Sequence, residues 1–176
     1  EEALGYSVGS VVRDKDGVSV AVVLCDLASE LKLNHETLLD RLRAIYLKHG
    51  VHLSAQHSIK LPGASGRVQI EQIMANLRAQ PPESVGDFAV ETLIDYELKQ
   101  VIRKGSVESL GGTMPPSNVL AFYLEDGTRI LARPSGTEPK IKFYFEVKVE
   151  LKSTQSLAEG EHNAGLHLAF IQERFL

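Results

Sequence analysis

The chain has 176 residues, 43% of them apolar and 24% charged, with a formal net charge of -4, a balance that suits a globular domain able to bury its core without disulfides or metals. A pI of about 5.9 argues against a nucleic-acid-binding surface, and no stretch interleaves aromatic and basic residues as single-strand binders do. The apolar runs fall well short of a membrane span, and the single cysteine, Cys25, excludes an intrachain disulfide and suits a reducing, cytoplasmic setting.

The opening Glu1-Glu2-Ala3-Leu4-Gly5-Tyr6 has neither an initiator methionine nor a polar lead-in, and reads as a start within a longer polypeptide. Asp14-Lys15-Asp16-Gly17 is turn chemistry. The apolar segment from Val18 to about Leu31 is expected to be helical, with Cys25 serving in it as a small buried hydrophobe. A second helix fits Thr37 to His49, where Leu38, Leu42, Ile45 and Tyr46 recur at helical spacing. Thr37 and Asp40 are set to cap it, and Gly50 to end it. These first 50 residues hold helices without enough strands for a domain, so they read as the helical remnant of a preceding α/β domain, with residues 51–176 as the next.

His52–Leu61 reads as a strand closed by Pro62-Gly63. Arg67–Arg78 is a helix with Ile70, Ile73, Met74 and Leu77 on one face, stopped by Pro81-Pro82. Asp87–Tyr96 alternates as a half-buried strand does. Lys104–Asn118, rich in Gly, Ser and Pro, reads as a loop. Val119–Arg133 is two strands about Asp126-Gly127, a dipeptide favoured by two-residue hairpin turns. From Ile141 to Glu150 apolar and polar residues alternate strictly, as in a strand with one dry and one wet face. Ser156–Phe175 is a final helix, weakened in its first half by Gly160 and Gly165. The expected fold is α+β, an antiparallel sheet of four to five strands with helices on one face.

The run Arg133-Pro134-Ser135-Gly136-Thr137-Glu138-Pro139-Lys140-Ile141-Lys142 carries the chemistry. A phosphate dianion needs converging donors. Arg133 offers a planar fork, Ser135 and Thr137 offer hydroxyls, Gly136 leaves the backbone N–H groups approachable, and Lys142 adds a point charge. A tight Pro/Gly turn with scattered charges reads equally well from composition alone. His49, His52 and His57 lie close in sequence, but no cysteine or carboxylate completes a zinc set. Asp14 and Asp16 read as turn residues.

The Arg133 run resembles the phosphate-binding loop of the α-D-phosphohexomutase superfamily, the phosphoglucomutase/phosphomannomutase group. Glu1-Glu2-Ala3-Leu4-Gly5 is similar to the sugar-binding loop of that family's third domain, with Ala3 where a serine is usual, and Arg13–Gly17 resembles its basic loop before a helix. The resemblance implies that Arg133, Ser135, Gly136, Thr137 and Lys142 hold the substrate phosphate, and that Glu1 and Lys15 contact the sugar. It also implies a parent enzyme that interconverts sugar 1- and 6-phosphates, using magnesium and glucose 1,6-bisphosphate as intermediate and activator. The expected partners are a sugar phosphate and the N-terminal domains of the same protein, with no nucleic acid and no membrane. Neither the family's serine-histidine-asparagine-proline loop nor an Asp-x-Asp-x-Asp run occurs here, so this part is expected to bind phosphate without catalysing, about a hinge near Gly50–Gln56. The alternatives are a phosphopentomutase-type relative, a stand-alone sugar-phosphate or anion-binding module, and a structural domain with no ligand.

Overall fold

The computed structural model describes residues 5–176, apart from the side chain of Ala64. They fall into two compact units, one ending at His49 and the other running from Gly50 to Leu176.

The first unit holds α1 (Gly17–Leu33) and α2 (Leu38–His49). Asp16 caps α1, its carboxylate accepting from the N–H groups of Val18 at 3.0 Å and Ser19 at 3.3 Å. Thr37 and Asp40 cap α2 reciprocally: the Thr37 N–H donates to the Asp40 carboxylate at 2.8 Å and the Asp40 N–H to Thr37 Oγ1 at 3.2 Å. Cys25, expected to be buried, is exposed on α1, as are Val18, Val22, Val23 and Leu24. Among the described residues the first unit has two helices and no strand to cover so apolar a helix.

The second unit is an open, wholly antiparallel eight-stranded sheet with two helices. Its strands are β1 (Val51–Lys60), β2 (Ser84–Val85), β3 (Phe88–Asp95), β4 (Gln100–Arg103), β5 (Ser106–Ser109), β6 (Leu120–Leu124), β7 (Arg129–Pro134) and β8 (Lys140–Val149). The main order is β1-β8-β7-β6-β3-β4-β5, with β2 paired to β3. The α+β class is as expected, and the sheet is wider because β4 arises in a stretch assigned to no element and β5 within Lys104–Asn118, read as a loop. Lys104 and Gly105, at φ 46° and 82°, form a two-residue turn with Arg103 opposite Ser106, both residues taking the positive φ that a type I′ turn demands. The Asp126-Gly127 hairpin, by contrast, has three loop residues. Gly127 (φ 86°) donates to the Leu124 carbonyl and the Leu124 N–H donates to that of Thr128, a type I turn closed by a left-handed glycine. Of the stretch Gly50–Gln56 expected to hold a hinge, Val51–Gln56 are paired residue by residue with Tyr144–Val149, so Gly50 alone lies between α2 and β1.

Helices α3 (Ala64–Ala79) and α4 (Leu157–Phe175) supply Ile70, Met74, Leu168 and Ile171 to one core with Phe122, Ile130, Ile141, Phe143, Phe145 and Val147 of the sheet. The Phe175 ring meets Phe122, Phe143 and Phe145 edge-on at centroid distances of 5.5, 5.7 and 5.9 Å, a favoured aromatic geometry. Ser156 and Glu159 form a capping box at the start of α4. Arg78 of α3 bonds the buried Asp95 carboxylate at 2.8 Å, while the other carboxylate oxygen accepts from the N–H groups of Glu97 and Leu98 and so shapes the β3–β4 turn.

Two glycines separate packing from propensity. A Cβ at Gly66 would stand 1.7 Å from the Leu61 carbonyl oxygen, whereas one at Gly165 would meet nothing. In urea titrations Gly66→Ala is therefore expected to destabilise the second unit by about 2 kcal/mol or more through backbone displacement, and Gly165→Ala to stabilise it by about 0.5–1 kcal/mol through helix propensity. The carboxyls of Asp16, Asp40 and Glu159 are each held below their ordinary values, chiefly by hydrogen bonds from Ser19, Thr37 and Ser156 respectively. Their capping contribution is complete above the unfolded-state carboxylate range and is lost as pH falls through the lowered folded values. Helicity followed by circular dichroism is expected to hold at neutral pH and to decline only in that acid window.

Candidate phosphate-binding site

The loop from Arg133 to Lys142 spans the end of the β7–β8 pair. Ile130 and Ala132 of β7, and Ile141 and Phe143 of β8, turn into the core. With a side-chain period of two, Arg133 and Lys142 then fall on the opposite face, where they stand directly across from one another. Arg133 is exposed and Lys142 half-buried, with Lys142 Nζ lying 5.9 Å from the Tyr144 ring centroid.

Backbone bonds hold the loop at both ends. The Ser135 N–H donates to the Lys140 carbonyl at 2.9 Å, the Lys140 N–H to the Glu138 carbonyl at 2.8 Å, and the Leu61 N–H to the Pro139 carbonyl at 2.9 Å. The Glu138 N–H reaches Ser135 Oγ at 3.3 Å, so this oxygen acts as acceptor and its own hydrogen stays available. Among the described residues, the Arg133 guanidinium and the Gly136 and Thr137 N–H groups have no protein partner. A Cβ at Gly136 would meet nothing within 4 Å, so no feature of this chain requires glycine there. Arginine, two hydroxyls, two backbone N–H groups and a lysine are thus left as donors around one short loop, a chemistry suited to an oxyanion.

Lys15 belongs to the first unit. Its stem runs against Gly5, where an added Cβ would lie 1.8 Å from Lys15 Cδ, and the Asp16 N–H donates to the Tyr6 carbonyl at 2.8 Å. The structure thereby joins the segment after the first four residues to the Asp14–Gly17 loop. Glu1 lies outside the described residues. Lys15 Nζ is 3.2 Å from the Asp14 carboxylate, which together with the Asp14–Lys15 backbone bond keeps the Asp14 carboxyl below its usual range. Among the described residues no three His, Cys, Asp or Glu side chains are gathered as metal donors, so they do not fit a magnesium ion.

A second polar cluster has no counterpart in the sequence pattern. His167 Nε2 of α4 lies 2.6 Å from Asp126 Oδ2, and the Thr128 hydroxyl donates to the same oxygen at 2.8 Å, with the Phe88 ring edge-on to the imidazole at 5.2 Å. Thr128 is fully buried, so its hydroxyl is closed to substrate. The cluster ties α4 to the β6–β7 hairpin. Only the fold brings residues 41 apart in sequence into that bond, so no local signal announces it.

Residues 69–164 match the family model described as phosphoglucomutase/phosphomannomutase, C-terminal domain, just over half of the chain. The chain therefore belongs to the phosphoglucomutase/phosphomannomutase family, of which it carries the C-terminal domain. It is 38% identical over 148 residues to a phosphoglucomutase of Staphylococcus aureus and 40% identical over 149 residues to a probable phosphomannomutase of Haemophilus influenzae. Each match covers 84% of this chain and 27% of the relative, so the chain spans about a quarter of the length of these relatives. In fold it resembles the open form of pp63/parafusin, a phosphoglucomutase from Paramecium, with a TM-score of 0.50 and 16% identity, over 92% of this chain and 28% of that one. No helix among the described residues is long and apolar enough to cross a membrane.

Two substitutions separate loop from scaffold. Gly136→Ala is expected to leave the melting temperature unchanged, since open space receives the methyl group. His167→Ala is expected to cost about 1–3 kcal/mol by leaving the Asp126 carboxylate short of a partner, which thermal denaturation will read.

Proposed function

We propose that this chain is the phosphate-anchoring part of a hexose-phosphate mutase that interconverts sugar 1- and 6-phosphates. The observation that carries this reading is the set of donors at Arg133, Ser135, Gly136 and Thr137 left unpaired by the protein around one loop, in a chain of this family. The Arg133 guanidinium bridges two phosphate oxygens, the Ser135 and Thr137 hydroxyls and the exposed N–H groups meet the remaining lone pairs, and Lys142 adds charge from the adjoining strand. A clamp built on charge and short donors recognises the phosphate and not a particular sugar carbon, so it accepts either end of a bisphosphate such as glucose 1,6-bisphosphate.

The first unit, on this reading, is the end of a sugar-binding domain whose Glu1 and Lys15 contact sugar hydroxyls. The phosphoserine nucleophile and the magnesium ligands belong to other domains of a cytoplasmic parent protein. Phosphoryl transfer relies on positioned nucleophile, metal and charge together, and a clamp alone supplies only part of the last. In a coupled assay with magnesium and glucose 1,6-bisphosphate, the isolated chain is expected to give no turnover. Calorimetry is expected to show saturable binding of glucose 1-phosphate, lost in Arg133→Ala and weakened in Gly136→Ala. Turnover by the chain, or binding untouched by Arg133→Ala, contradicts this assignment.

A further inference from the structure

On the sheet face turned away from α3 and α4, charges opposite one another obey electrostatics at one place and defy it at two others. Arg129 of β7 stands across from Glu146 of β8 and forms an ion pair with it. Four residues further along the same face, beyond the Leu131–Tyr144 pair, Arg133 stands across from Lys142. Two residues further again, Lys140 of β8 stands across from Lys60 of β1. Residues directly opposite in an antiparallel pair hold their Cβ atoms about 4.5–5.5 Å apart, and like charges so placed repel. Consecutive same-face positions on one strand are about 6.8 Å apart, so four cations are gathered at one corner of the sheet.

The backbone fixes them there. Leu61, next to Lys60, donates its N–H to the Pro139 carbonyl, and the close approach of Gly66 to the Leu61 carbonyl holds the chain just beyond β1. Glu138 is the carboxylate that meets this corner, in an ion pair with Lys140 Nζ. Its carboxyl is held below the ordinary range first by Lys140, with smaller contributions from Lys60 and Lys142. The loop thus carries its own anion beside donors left open for another.

We propose that Lys60 and Lys140 form a second wing of the Arg133 phosphate site, and that Glu138 is its built-in counter-ion, displaced when a phosphate monoester binds. This rests on the phosphate-clamp reading above. A dianion held by the loop relieves the repulsion between opposed cations better than one carboxylate does, and Lys140 exchanges its carboxylate partner for the ligand. Lys60, 73 residues before Arg133 in the sequence and in no motif with it, enters the site only through the pairing of β1 with β8.

The test is calorimetric titration of the 176-residue chain with glucose 1-phosphate and with inorganic phosphate, at one ionic strength, for wild type and for Lys60→Ala, Lys60→Arg, Glu138→Gln, Arg133→Ala and Lys152→Ala. Lys60→Ala is expected to weaken both ligands about three- to tenfold, as loss of a charge-assisted contact should. Lys60→Arg is expected to restore binding, Glu138→Gln to tighten it, and Lys152→Ala, an exposed lysine elsewhere, to leave it unchanged. If Lys60→Ala behaves as Lys152→Ala does while Arg133→Ala abolishes binding, the clamp stands and the second wing is wrong. Weaker binding in Glu138→Gln overturns the counter-ion role. No binding by wild type overturns the clamp and the wing together.

Discussion

The pairing of β7 with β8 is the constraint on which the rest of the second unit depends. Alternate residues of both strands, among them Ile130, Ala132, Ile141, Phe143, Phe145 and Val147, are buried against α3 and α4. A slip of one residue would turn every one of them outward and drive Arg133 and Lys142 into the core. Burial of a large apolar side chain is worth about 1.5–3 kcal/mol, so the five large ones among these residues penalise the slip far more than repulsion between opposed cations can favour it. The core therefore holds Arg133 against Lys142 and, through β8, Lys140 against Lys60. Hydrophobic burial on one face sustains charge crowding on the other.

The loop at the end of this pair is correspondingly well placed and lightly used by the protein. Its backbone is bonded at Ser135, Pro139 and Lys140, while Gly136 and Thr137 point no N–H group at a protein partner among the described residues. Fixed termini with free donors between them give preorganisation: little ordering remains to be done when a ligand arrives. The His167–Asp126–Thr128 cluster does comparable work at the β6–β7 hairpin, keeping β7 aligned from its other end.

Much of this was legible in the sequence, and what was not has physical reasons. The cap at Thr37 and Asp40, the alternation from Ile141 to Glu150 and the final helix from Ser156 are local patterns, and each corresponds to an observed element. Strands β4 and β5 escaped because every residue of β5 is exposed, leaving no burial alternation, and because Lys104 takes a left-handed conformation more often given to Gly or Asn. The turn at Asp126-Gly127 was found but its length was not, since the same dipeptide serves two- and three-residue hairpins. Cys25 was misjudged because an apolar helix reads as buried whether or not its covering layer is at hand. The crowding of Lys60, Lys140, Lys142 and Arg133 was invisible for a different reason: it follows from register between strands far apart in the chain, which no local pattern encodes.

The central claim is that the Arg133–Lys142 corner is a preorganised phosphate clamp. The most direct measurement is an amide-resolved NMR titration of the chain with glucose 1-phosphate. The account predicts saturable shifts centred on Ser135, Gly136 and Thr137, with smaller ones at Lys60 and Leu61 across the β1–β8 pair. Shifts absent from that loop up to millimolar ligand, or spread evenly over surface lysines, would contradict it.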